Sequence, residues 1–208
     1  MQKIKDFFSK ISFLLGIFCM FLVTVVIIHP RMSLSPALLV IMWLIQTGCM
    51  MGAGEIQWSK EENKKIFSYI RYVFMILFYC ALLWQLVLGN DMFDRIQHTN
   101  DFNVIPFKTI LQYIKQYRAG NIRMYLVFLN LMGNIALLAP IGFYLGISDL
   151  KMKWFTPVAV GGICSLIIEM LQMYMGKGSF DVDDILLNLI GVVLLYGITN
   201  LCNIKIRK

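Results

Sequence analysis

The sequence predicts an all-α integral membrane protein with about six transmembrane helices and an outward-facing amphipathic or re-entrant segment. Of the 208 residues, 59% are hydrophobic, whereas an ordinary soluble domain is nearer half. The apolar residues fall into runs of about 20, the length that crosses the hydrocarbon core of a bilayer. No polar block between these runs is long enough to bury a water-soluble core of its own. The expected organisation is one membrane domain over 1–208, with three spans in 1–88, an extracellular amphipathic loop in 89–123 and a three-span core in 124–203.

Composition also narrows the function. Cys19, Cys49, Cys80, Cys164 and Cys202 all lie in apolar runs and are odd in number, which argues against a disulfide framework and against a cysteine metal cluster. The formal charge is +7. In a membrane protein, basic residues set topology and meet anionic lipid headgroups, so membrane lipids rather than nucleic acid are the expected partners.

The first span, Ile11 to Ile28, follows Lys3, Lys5 and Lys10. No small-x-small cleavage site comes after it, so it reads as a retained anchor. The second, Leu34 to Ala53, carries Gly48 and Gly52 at the four-residue spacing that lets helices approach closely. A charged segment from Glu55 to Lys65 leads into the third span, Phe67 to Leu88.

Gly89 to Arg123 is the one long connection. After Pro106, Phe107, Ile110, Leu111 and Ile114 recur at helical spacing, with Lys108, Gln112, Lys115 and Arg118 elsewhere. The run is too short to span and reads as an interfacial helix. No acidic residue lies between Phe107 and Arg123, so its basic face, with Lys115, Arg118 and Arg123, is a candidate contact for phosphate or headgroup charge.

Three further spans run from Met124 to Gly146, Phe155 to Met175 and Asp184 to Asn203. Pro140 in the fourth removes a backbone hydrogen bond and is expected to kink or end that helix. With both termini inside, the inner segments hold twelve Lys and Arg residues and the outer ones seven, the bias expected for cytoplasmic loops.

Each of the last three spans carries one polar stripe: Asn130 and Asn134, then Ser165, Glu169 and Gln172, then Asp184 and Asn188. Spacings of three and four put each set on one helix face. At about 1.5 Å per residue, Asn130 and Glu169 lie roughly 9 Å and Asn188 roughly 6 Å inside the same boundary. Ionised Glu169 in hydrocarbon costs at least about 3 kcal/mol, so it is expected to face a wet cavity or a partner, or to stay protonated. Interhelical hydrogen bonding accounts for the amides alone. Just outside stand Lys177, Asp181, Asp183 and Asp184. Asp184 is placed to cap the last helix, while Asp-x-Asp-Asp is also a candidate divalent-cation site built on hard oxygen ligands. In a catalytic reading Asp181, Asp183 and Asp184 hold the cation and Glu169 is the base. In a binding reading the three acids rim a polar cavity.

Asn103-Val104-Ile105-Pro106-Phe107, then Asn130 to Asn134 with Pro140-Ile141-Gly142-Phe143, Glu169-Met170-Leu171-Gln172, and Ser179-Phe180-Asp181-Val182-Asp183-Asp184 with Asn188, Gly191 and Tyr196 resemble the VanZ-like family of bacterial membrane proteins. The resemblance covers Asn103 to Tyr196. It implies a bacterial cytoplasmic membrane protein associated with low-level resistance to teicoplanin and related lipoglycopeptides, without the precursor remodelling that the vancomycin enzymes perform; no cofactor is expected, the divalent cation of the acidic motif aside. The family often carries Arg before the acidic motif where this chain has Lys177, which keeps the charge and loses the bidentate fork. The leading expectation is a non-enzymatic protein whose outward polar cavity, lined by Asn130, Asn134, Glu169, Gln172, Lys177, Asn188 and the acidic motif, binds a lipid-linked cell-wall intermediate or the lipoglycopeptide. The alternative is a metal-assisted enzyme or a transporter acting on a polyprenyl-phosphate lipid, in which the catalytic groups are Glu169, Asp183 and Asp184.

Overall fold

A computed structural model of the chain describes residues 2–29, 35–56, 61–87, 102–147, 152–153, 155–176 and 178–206. These fall into two compact units, Met1–Phe93 and Asp94–Lys208.

The first unit is a three-helix hairpin array. Helix α1 (Gln2–Ile28) begins well before the apolar run that predicts it, and Lys10 and Asp6 pair on its polar start at 2.7 Å. Helix α2 (Pro36–Gly52) has Pro36 in its first turn and is capped by the Ser35 hydroxyl, which accepts the Leu38 N–H at 3.3 Å; a proline there forfeits only an orphan donor. A 3₁₀ turn, Ala53–Glu55, closes it. Helix α3 (Glu61–Val87) likewise starts inside the charged segment before its apolar run. Val23, Leu39, Phe78 and Leu82 form the buried core. Close contact with α1 comes from Gly52, beside Ser12, and not from Gly48, which has open space around it. The Arg71 guanidinium lies over the Phe67 ring and donates to the Met50 carbonyl at 2.8 Å, covering acceptors that the end of α2 leaves unpaired.

The second unit holds α4 (Lys108–Arg118), α5 (Met124–Ile147), α6 (Thr156–Tyr174) and α7 (Val182–Ile206). Helices α5 and α7 run side by side in the same direction and nearly touch. A Cβ on Gly191 would overlap the Ile135 carbonyl, one on Gly142 the Val192 carbonyl, and one on Gly146 the Thr199 hydroxyl. Small residues permit this approach, which gives van der Waals packing where lipid supplies no hydrophobic drive between helices. Helix α6 lies antiparallel, with Gly161 against Leu189 and Val192. Of the kink or end expected at Pro140, the helix does not end: α5 continues through the buried Pro140 to Ile147. Neighbouring helices hold such a proline in place within membrane helices.

Among the described residues, five helices are long and apolar enough to cross a membrane: Lys3–Val26, Glu62–Gln85, Met124–Ile147, Thr156–Tyr174 and Val182–Cys202. The expected second span is the exception. At 17 residues α2 is about 25 Å long, short of the hydrocarbon thickness of about 30 Å. Large apolar side chains lie exposed along these helices, among them Phe18, Phe21, Ile76, Phe128, Ile163 and Leu194. Hydrocarbon covers such surface, as expected of a multi-pass membrane protein.

Candidate functional site

The second unit gathers its polar residues where the chain enters α4 and α7. Asn103 and Asp181 form a parallel β-bridge: the Asn103 N–H donates to the Phe180 carbonyl at 2.9 Å, and the Val182 N–H to the Asn103 carbonyl at 3.0 Å. This single rung aligns the lead-in of α4 with the lead-in of α7 and satisfies backbone groups that buried positions cannot leave open.

Helix α4 has no cap of its own. Phe107 stands at its N-cap with φ 66° and offers no side-chain acceptor. Asp183, in the first turn of α7, supplies the cap from outside. Its Oδ1 accepts the Phe107 N–H, and its Oδ2 accepts those of Thr109 at 2.8 Å and Ile110 at 3.1 Å. Left-handed backbone costs a non-glycine residue roughly 1–2 kcal/mol. Three bonds to one buried carboxylate offset it, because bonds to a charged group contribute about 1.5–3 kcal/mol each.

Asp181 is engaged as fully. Its Oδ1 accepts the Asn103 amide at 2.8 Å and the Asp183 N–H at 2.9 Å, and its Oδ2 accepts the Thr109 hydroxyl at 2.6 Å. The bond from Asp183 makes Asp181, not Asp184, the N-cap of α7: Asp184 already lies inside the first turn, and its Oδ1 accepts the Asn134 amide. The Asn103 amide also donates to the Thr109 hydroxyl at 3.0 Å, and its own Oδ1 accepts the Ile105 N–H at 3.2 Å. Asn103 and Thr109 are absent from the sequence-derived candidates. Asn103 before Pro106 is an asparagine-turn signal, and nothing local to Thr109 marks it.

The layer continues into the core. The Glu169 carboxylate accepts the Asp181 N–H at 3.1 Å, so Glu169 meets a partner at the start of α7. The Asn134 amide donates to Asp184 Oδ1. The Asn188 amide donates to the Ser165 hydroxyl at 2.9 Å, while its Oδ1 has no partner. Gln172 is buried on the same face of α6 as Glu169. Asn130 stands apart: its amide returns to the Leu126 carbonyl of its own helix at 2.8 Å. Lys115, Arg118 and Arg123 are exposed, and Lys177 lies outside the described residues.

The acids of the motif are buried: Asp183 and Glu169 are each only 1% exposed, and the chain from Asn103 to Ile110 supplies donors to Asp181 and Asp183. The three aspartates do not converge on one ion: among the described residues no group of three or more His, Cys, Asp and Glu is arranged to hold a metal. Asp181 and Asp183 direct their oxygens at protein donors, and Asp184 turns to Asn134.

Fold and site together define a multi-pass α-helical membrane protein whose C-terminal helices enclose a hydrogen-bonded acid and amide layer. The chain belongs to the VanZ/LLP1 family, whose model matches residues 67–203. The match takes in most of α3 and therefore extends beyond the motif-bearing stretch from Asn103 to Tyr196. Neither a curated protein nor a solved structure matches the chain.

Proposed function

We propose that this is a protein of the bacterial cytoplasmic membrane that binds an amphiphile, either a lipid-linked cell-wall intermediate or a lipoglycopeptide, on the α4 side of its second unit. Through that binding it contributes to resistance to teicoplanin and related lipoglycopeptides. In this reading α4 faces outward and both termini are cytoplasmic, with α2 as a short crossing. The buried acids position α4; the ligand meets α4 itself.

One observation carries the proposal. The α4 region presents apolar and basic groups side by side: Phe102, Val104, Ile105, Phe107 and Leu111 are exposed, as are Lys108, Lys115, Arg118 and Arg123. Such a surface suits a molecule with a hydrocarbon part and a charged part at the membrane boundary. A binding role also suits Asp181 and Asp183, whose oxygens are committed to protein donors and not presented to a substrate.

The test is teicoplanin susceptibility of a host that depends on this protein, with variants at equal membrane abundance. Both the triple variant K115Q/R118Q/R123Q and Asp183→Asn are expected to lose protection. Unchanged susceptibility in both would rule the proposal out.

A further inference from the structure

We infer that the group recognised on α4 is the phosphate of an anionic lipid, held by Lys115, Arg118 and Arg123. The inference rests on the amphiphile-binding reading and names the chemical class of its ligand.

Charge comes first. From Phe102 to Ile147 the chain contains no Asp or Glu, so no neighbour along this stretch neutralises its exposed basic side chains. Lys115 and Arg118 are three apart on α4 and share a face. The helix then ends in a Schellman turn: Gly120 adopts φ 75°, the Asn121 N–H donates to the Gln116 carbonyl at 3.0 Å and the Gly120 N–H to the Tyr117 carbonyl at 3.0 Å. A third bond, from the Asn121 amide to Gln116 Oε1 at 2.7 Å, fastens the same turn. This reversal leads Arg123 into α5 directly after the basic end of α4. Arginine provides a planar fork that matches phosphate oxygens.

The occupied end of α4 is equally informative. The N-terminus of a helix is the ordinary place for an anion to bind, but here the Phe107, Thr109 and Ile110 N–H groups are taken by Asp183. An external anion is thereby directed to the side chains at the other end. The exposed Phe102, Val104, Ile105 and Phe107 set the element at lipid depth, which selects a lipid phosphate over a phosphate free in water.

The experiment titrates the full-length protein in nonionic detergent with farnesyl diphosphate, farnesol, inorganic pyrophosphate and short-chain phosphatidylglycerol. Farnesyl diphosphate is expected to bind at least about tenfold more tightly than farnesol or pyrophosphate, with phosphatidylglycerol also binding, and affinity is expected to fall as salt rises. K115Q/R118Q/R123Q should weaken it about tenfold, the combined effect of three exposed charge contacts. K3Q/K5Q/K65Q removes the same charge elsewhere and should leave affinity unchanged. Equal binding of farnesol and farnesyl diphosphate, or equal loss in the two triple variants, overturns the phosphate assignment and leaves the amphiphile reading standing. Pyrophosphate binding as tightly as the lipid diphosphate overturns the lipid source. If none of the lipids binds, the lipid-phosphate inference falls, and the amphiphile reading stands only if teicoplanin, titrated in the same way, binds.

Discussion

Asp183 Oδ2, in the first turn of α7, accepts the backbone N–H of Thr109 at 2.8 Å across a sequence separation of 74 residues. One helix is thus capped by another. Helix α4 has 11 residues and none is buried, and an isolated helix of that length is marginal in water. Its N-cap position is filled by Phe107, so its free N–H groups depend on a carboxylate that arrives only when α7 is in place. This couples the exposed surface of α4 to the buried layer.

Thr109 is the second tie, since its hydroxyl donates to Asp181 and accepts from Asn103. Thr109→Val preserves shape but strands two buried partners, which costs about 1–3 kcal/mol. The thermal midpoint in detergent should fall and protease cleavage near α4 should rise. Thr109→Ser keeps the hydroxyl and should restore most of both.

The glycine contacts between α5 and α7 predict a sharp division among alanine substitutions. Gly191→Ala and Gly142→Ala push a methyl into a backbone carbonyl and should cost at least about 1–3 kcal/mol, the range for overpacking. Gly133→Ala and Gly162→Ala meet open space and should be tolerated. Thermal midpoints of the four purified variants check this.

Asn188 and Ser165 offer a measurable pair. Ser165→Ala removes the partner of the Asn188 amide, whose Oδ1 is already unpartnered, so the buried side chain loses its one bond to α6. Adding Asn188→Leu removes the polar group itself, and the double variant should be more stable than the sum of the single changes implies. The coupling energy from a double-mutant cycle should be about 0.6 kcal/mol, as for other hydrogen bonds between membrane helices.

The helices were legible because their signals are local. Apolar run length marks the spans, and spacings of three and four put Ser165, Glu169 and Gln172 on one face of α6, all three buried. Helix ends were less legible: α1 and α3 extend into charged segments that hydropathy excludes, and α5 passes Pro140. The hydrogen-bond partners of the acidic motif are not legible because they are remote in sequence. Nothing in Asp181-Val182-Asp183 indicates that these side chains meet Asn103, Phe107, Thr109 and Ile110. The same three carboxylates fit a metal, a cap or a cavity rim until the α4 lead-in is laid over them. Asn130 shows the converse limit: its spacing from Asn134 is legible, while the bond of its amide to the Leu126 carbonyl of its own helix is not.

The most direct test of the clamp between α7 and α4 is amide hydrogen exchange at Thr109 and Ile110 in the wild type and in Asp183→Asn. The asparagine keeps the shape and loses the charge and one acceptor oxygen. Protected amides are expected in the wild type and exchange at least about tenfold faster in the variant, corresponding to a loss of at least about 1.4 kcal/mol, with α7 itself unchanged. Equal exchange at Thr109 and Ile110 in the two proteins would contradict the clamp.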